Sequence, residues 1–269
     1  MTDQIVTYEL DGDTALIGLN RPEKRNALNE ALGVQLFEAV MRANDEAKVG
    51  VLFGHGGHFS GGLDLAMLAQ GMSKGGGRPR SHARRRRSSA ADAMARGDIP
   101  FIAALQGAVV GWGLEIAACA HVRVADETAF FALPEGQRGI FVGGGGSVRV
   151  SRLMGVARMT DMMLTGRVLS AAEAERCAIV QYLVAPGGAL DKARELASKV
   201  GGNSPLSNAA IINGLPRLRD LPYDEGLYFE SLVAGTTFGP EAMERVQAFV
   251  EKRAEPLRAP GASSKDPKS

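Results

Sequence analysis

Glu115 and Glu135 are the two residues of this sequence best placed to move protons. Glu115 is the one charged residue between Phe101 and Ala120, and its neighbours Leu114, Ile116, Ala117 and Ala118 leave a helix with no polar face. A carboxylate in such a helix is buried or faces a cleft, a costly position that calls for a purpose. Glu135 follows Leu133-Pro134 just beyond a strand of Phe, Ala and Leu. Taken alone it reads equally as a solvated loop residue. Two glycine-rich turns accompany the pair. In Phe59-Ser60-Gly61-Gly62-Leu63-Asp64-Leu65 the glycines let a backbone N–H approach a ligand closely, and Asp64 is placed to cap the apolar stretch after it, although a plain tight turn is the simpler account of this segment by itself. Gly111-Trp112-Gly113 joins a strand to a helix, so its N–H groups sit at the positive end of a helix dipole. Two such turns facing each other would bind an oxyanion. With the two glutamates they describe a site that polarises a carbonyl while carboxylates manage protons and water.

Competing chemistry finds little support. Gly143 to Gly146 lacks the Gly-Lys-Ser/Thr ending of a phosphate-binding loop, and Arg149 stands where the last glycine of a nucleophile elbow at Ser147 would be. His58 likewise replaces the first glycine of such an elbow at Ser60. The run 143–146 reads instead as close packing and a helix start. His55, His58, His82 and His121 show no ligand spacing, so no metal is expected.

These residues need a scaffold, and the sequence predicts an α/β one. Ile5 to Leu10 and Thr14 to Leu19 flank Asp11-Gly12-Asp13 as a hairpin, which Asn20-Arg21-Pro22 ends. Leu32, Leu36, Phe37, Val40 and Ala43 recur at helical spacing between Asn29 and Ala47, and Val49 to Phe53 is a short buried run. The order repeats with a strand at Phe101 to Leu105, a helix at Leu114 to Ala120 and a strand at Val122 to Ala125, implying parallel crossovers. Ser170-Ala171-Ala172-Glu173 is a capping box opening a helix to about Cys177, and helices are expected at 189–200, 204–215 and 240–254. This organises the chain as a core over 1–200, a helical region over 201–255 and a disordered tail over 256–269.

The bulk numbers agree with one large domain. The chain has 269 residues, 45% hydrophobic and 23% charged, with 34 glycines. Its opening MTDQIVTYEL has no apolar signal-peptide core, and no stretch is long and apolar enough to span a membrane. Cys119 and Cys177 sit alone in apolar surroundings, as reduced core residues of a cytoplasmic protein would. Net charge is only +1, yet residues 74–96 hold eight Lys/Arg against one acid, Asp92, so a +7 segment sits on a remainder of −6. The excursion 66–97 is too poor in large apolar residues to build core and is expected to be mobile or partly helical. For Arg78, Arg80 and Arg84 to Arg87 three readings stay open: a solvated face, contact with an anionic substrate through Arg84 or Arg87, or RNA binding. The lack of an aromatic in that segment leaves RNA only phosphate attraction.

Asn20-Arg21-Pro22, Asn26-Ala27-Leu28, Phe59-Ser60-Gly61-Gly62-Leu63-Asp64, Gly111-Trp112-Gly113-Leu114-Glu115 and Pro134-Glu135 follow the order and approximate spacing of enoyl-CoA hydratases. Leu164-Thr165-Gly166, Ala171-Ala172-Glu173-Ala174 and Phe249-Val250-Glu251-Lys252-Arg253 continue the resemblance, which covers about 5 to 255 apart from 66–97. The ordered set resembles the crotonase superfamily, the enoyl-CoA hydratase/isomerase family. That resemblance implies a spiral of ββα units with a C-terminal helical region that builds homotrimers, often paired into hexamers. It implies an enzyme of fatty acid metabolism that adds water to a trans-2-enoyl-CoA, with no separate cofactor because coenzyme A enters as part of the substrate. The oxyanion-hole donors carry over to the backbone N–H groups of Leu63 and Trp112, and the acid/base glutamates to Glu115 and Glu135. Coenzyme A would run past Arg25, Ala27, Leu28, Gly61, Asp64 and Leu65, with Phe249 and Lys252 reaching it in a neighbouring subunit. Leu63 and Trp112 replace residues that are usually small, which alters the acyl pocket. Isomerisation, C–C cleavage, thioester hydrolysis and an RNA-binding role on the same scaffold remain as alternatives.

Overall fold

The computed structural model of the chain describes residues 4–66, 69 and 89–254. Most of the excursion 66–97, including Arg78, Arg80, His82 and Arg84 to Arg87, and the tail from residue 255 lie outside the described residues. The structure divides into two units between Asn213 and Gly214.

The first unit is built on a six-stranded sheet in the order β1-β2-β3-β4-β6-β9. Its strands are β1 (Val6–Asp11), β2 (Thr14–Leu19), β3 (Val49–Gly54), β4 (Phe101–Leu105), β6 (Val122–Asp126) and β9 (Tyr182–Val184). The β1/β2 pair is the antiparallel hairpin signalled by Asp11-Gly12-Asp13; every later pairing in this sheet is parallel. Parallel strands covered on both faces read as unbroken apolar runs, and β4, FIAAL, is buried at all five positions. One face takes α1 (Glu30–Glu46), capped by the Asn29 side chain and burying Leu32, Leu36, Val40 and Ala43. The other takes α7 (Ala189–Gly201), whose Ala189, Ala193 and Ala197 lie against Val49, Val51, Ile102, Ala104 and Val124. Small residues four apart keep that helix close to the sheet.

A second, three-stranded sheet runs β5-β7-β8, from β5 (Ala108–Val110), β7 (Phe130–Ala132) and β8 (Leu169–Ser170). The chain therefore alternates between sheets, β4 to β5 and then β6 to β7, with α3 (Trp112–Ala117) making the first return. Short bridges Ser60↔Val109 and Leu28↔Leu63 bring two loops alongside β5. This is the ββα spiral the resemblance implied. Also in this unit are α2 (Ala90–Arg96), α4 (Gly146–Met154), α5 (Val156–Thr165) and α6 (Ala171–Arg176), the last opened by the capping box at Ser170 and Glu173.

The helix α8 (Pro205–Leu218) spans the division, and the second unit continues with α9 (Tyr223–Thr237) and α10 (Pro240–Val250). Neither α9 nor α10 buries a single residue, and Tyr223, Tyr228, Phe229, Met243, Phe249 and Val250 are exposed. No described helix is long and apolar enough to cross a membrane.

Candidate active site

Two glycine turns meet where the bridged loops pass β5. Ser60 N–H donates to the Ala108 carbonyl at 2.8 Å and Val110 N–H returns to Ser60 at 3.0 Å, which lays the 60–63 turn against the 110–113 turn. Gly62 has φ +98°, and a side chain there would begin 2.9 Å from the Val110 carbonyl and 3.7 Å from Trp112 N. Only glycine serves at that point, for its backbone angle and its lack of room. Among the described residues, the N–H groups of Leu63 and Trp112 donate to no protein acceptor. Trp112 opens α3, where the first N–H groups have no partner within the helix.

The loop 20–28 closes over the first turn. Arg25 and Asn26 both adopt left-handed backbone, at φ 49° and 53°, and Asn26 is fully buried. Its amide donates to the carbonyls of His55 and His58 at 3.0 and 2.8 Å, and its oxygen accepts the Arg21 N–H at 2.8 Å. Ser60, also buried, donates through its hydroxyl to the Asn26 carbonyl at 2.9 Å. Gly61 N–H donates to Arg25, Leu28 N–H to Gly62 and Asp64 N–H to Leu28, at 2.7, 2.7 and 2.8 Å. Arg21 reaches both the Ala27 carbonyl and the Asp64 carboxylate. The structure thus gathers Arg25, Ala27, Leu28, Gly61, Leu63 and Asp64 into one ledge, with Leu65 just beyond it and exposed. Phe249, at the end of α10, and Lys252, at φ 57°, belong to the second unit.

Glu115 lies on α3 one turn after Trp112 and is 4% exposed. Its Oε2 accepts two backbone N–H groups, from Gly144 at 2.6 Å and Gly146 at 2.8 Å. A Cβ on Gly146 would lie 2.6 Å from Glu115 Cγ, so the glycine run is what lets the main chain come this close. A side chain on Gly144 would start 3.0 Å from Glu115 Oε2 and 3.5 Å from Trp112 Cδ1, which places the indole beside the carboxylate. The run 143–146 does begin a helix, but its larger role at this site, gripping Glu115, carried no side-chain signal in the sequence.

Glu135, beyond β7 at the head of a short 3-10 turn, is also buried rather than solvated. Its Oε1 lies 3.1 Å from where a Gly111 side chain would begin, and among the described residues its buried Oε2 has no hydrogen-bond partner. Burial pushes its carboxyl above the ordinary value; the hydrogen bond from its own backbone opposes this, Glu115 raises it further and Arg138 lowers it. The two glutamates therefore sense one another while standing in different surroundings, one gripped by two N–H donors from a distant turn and the other held only by its own backbone N–H, with its Oε2 unpartnered among the described residues. Such a pair suits a division into base and acid. Among the described residues no group of three or more His, Cys, Asp or Glu is arranged to hold a metal ion.

A family model described as enoyl-CoA hydratase/isomerase matches residues 9–258. Enoyl-CoA hydratase EchA19 of Mycobacterium tuberculosis is 32% identical over 252 residues, covering 91% of this chain and 93% of that protein. A carnitinyl-CoA dehydratase from Salmonella enteritidis is 34% identical, covering 90% and 94%. Among solved structures, a candidate enoyl-CoA hydratase from Rhodopseudomonas palustris superposes with a TM-score of 0.84 at 44% identity, covering 93% of this chain and 96% of that one. An enoyl-CoA hydratase from Bacillus anthracis gives 0.82 at 28% identity, covering 93% and 97%.

Proposed function

Because the chain belongs to the enoyl-CoA hydratase/isomerase family, we propose that it acts on acyl-CoA thioesters as a hydratase, adding water syn across the double bond of a trans-2-enoyl-CoA. The observation that carries this reading is the pair of buried glutamates beside two abutting turns whose Leu63 and Trp112 N–H groups have no protein acceptor among the described residues. In this mechanism the thioester oxygen sits between those two donors, each worth on the order of 3 kcal/mol as enolate charge develops. Glu115, steadied through Oε2, offers its other oxygen to a water. The water oxygen bonds to C3 as its proton passes to Glu115, and Glu135 delivers a proton to C2. The raised proton affinity of Glu135 supports the donor role.

Retention of both carboxylates favours water addition over isomerisation, for which a single acid/base group suffices. The names of the relatives, hydratase and dehydratase, describe the two directions of one reaction. In the same reading coenzyme A enters as part of the substrate and lies along Arg25, Ala27, Leu28, Gly61, Asp64 and Leu65, while Phe249 and Lys252 contribute from a neighbouring subunit. The uncovered apolar residues of α9 and α10 support a homo-oligomer. The test is a turnover screen of purified protein against trans-2-enoyl-CoAs of graded length and branching, with product identified by mass. Hydroxyacyl-CoA formation is expected; shifted double bonds or free coenzyme A in its place would overturn the reading.

A further inference from the structure

Among the described residues the Glu115 carboxylate is held by main chain alone, so whatever holds that main chain sets the carboxylate. The turn that grips it contains Gly145 at φ +93°, between the two donors Gly144 and Gly146. Arg149, one turn into α4, crosses back over it: Nη1 donates to the Gly144 carbonyl at 3.0 Å and Nη2 to Asp92 Oδ1 at 2.6 Å. A side chain on Gly145 would overlap that same Nη1. The ion pair is mostly sheltered, with side-chain exposures of 20% for Arg149 and 18% for Asp92. Asp92 stands on α2, which packs against α1. One planar guanidinium thus ties α2 to Gly144, the residue whose own N–H reaches Glu115 Oε2.

We infer that Arg149 is a positioning residue for Glu115, fixing through its bridge from Asp92 to the Gly144 carbonyl the turn that aims the carboxylate. The inference rests on the hydratase reading above. Arginine is required because one side chain serves two acceptors in fixed directions; a lysine ammonium on a flexible stem keeps the charge beside Asp92 without the fork. Aim matters here because a misplacement of about 1 Å at a reacting group can lower rate on the order of 10²-fold.

The experiment compares wild type, Arg149→Lys, Arg149→Met, Asp92→Asn and the Asp92→Asn/Arg149→Met double variant as full chains. With an enoyl-CoA that wild type hydrates, Arg149→Met is expected to lower kcat roughly 10- to 100-fold with KM within about threefold. Arg149→Lys should keep wild-type Tm yet still lose most of that kcat. Asp92→Asn should lose less, and the double variant no more than Arg149→Met alone. Hydrogen exchange of the peptide spanning Gly143 to Ser147 gives a readout independent of turnover, and it should quicken in Arg149→Lys and Arg149→Met. Unchanged exchange and wild-type kcat in Arg149→Lys would overturn the inference while leaving the hydratase reading intact. Wild type that hydrates no enoyl-CoA would instead defeat that reading, and the exchange data would still decide the role of Arg149 in the turn.

Discussion

Replacing Glu115 by Gln and by Ala should separate what the carboxylate does from what it holds. The side chain is 4% exposed, and one oxygen satisfies two N–H groups at 2.6 and 2.8 Å. A glutamine can turn its carbonyl oxygen to the same two donors and place its NH₂ where the second carboxylate oxygen was. Stability should then change by less than about 1 kcal/mol, the range of one net hydrogen bond. An alanine strands both donors, at roughly 1 to 3 kcal/mol each, and a single admitted water could restore about half of that. A net loss of about 1 to 3 kcal/mol corresponds to a Tm lower by roughly 2 to 12 °C in a chain of this size. Activity should behave differently: both variants lose the acceptor for the water proton, so kcat falls about 10²- to 10⁴-fold in each, with KM for the thioester little changed. The assay pairs loss of the conjugated enoyl-thioester absorbance with thermal unfolding at one pH. Loss of the Glu115 charge should also ease ionisation of Glu135, moving the alkaline limb of the residual pH profile to lower pH. A glutamine variant as unstable as alanine would refute the two-donor grip, and one with normal kcat would refute the base.

Two further substitutions probe neighbouring parts of the site. Glu135→Gln should lower kcat by about 10²- to 10⁴-fold yet leave Tm at neutral pH equal or higher. The sign comes from its raised proton affinity: the stability tied to protonated Glu135 is full below the ordinary carboxylate range and is lost as pH rises through the higher folded value, so the neutral amide gains most above it. A lower Tm for the variant at neutral pH would contradict this. Trp112→Gly keeps the backbone donor while removing an indole that lies beside Glu115, and should shift kcat/KM toward bulkier acyl groups by about 1 to 3 kcal/mol. An unchanged profile across acyl chains would show that the ring does not bound the pocket.

Legibility in the sequence depends on whether a feature leaves its mark on side chains. β2 and β4 are legible to the residue because strands buried within a layered core read as apolar runs, in β2 after the half-buried Thr14 at its start. Glu115 stands out as a lone charge in an apolar helix, and its burial bears that out. The grip on it is invisible there, since Gly144 and Gly146 act through N–H groups brought from 29 and 31 residues away. The Arg149 to Asp92 link joins residues 57 apart and obeys no local pattern. The helix α9 gives no periodic signal because its apolar residues, among them Leu227, Tyr228, Phe229 and Leu232, run around the helix and bury no face. The helix bearing Glu115 starts at Trp112 rather than Leu114, since the glycine turn itself supplies the first helical residues. Burial of Glu135 comes from β7 and the 3-10 turn folding onto Gly111, which a loop sequence does not announce.

The bridges Leu28↔Leu63 and Ser60↔Val109 add single pairings to the regular sheets, the second of them on β5, and they bear on the order in which the molecule comes into being. Most strands of the large sheet pair with the next of that sheet along the chain, so it can grow by successive addition at an edge. The two glycine turns have no such path. They meet only after β5 has crossed out of the large sheet and two separate loops have settled alongside it, and closing those long-range contacts comes late because the intervening chain must first be ordered. In refolding, the far-ultraviolet signal of helices and strands should therefore recover before the ability to turn over substrate, and the interval between them would time the docking of β5.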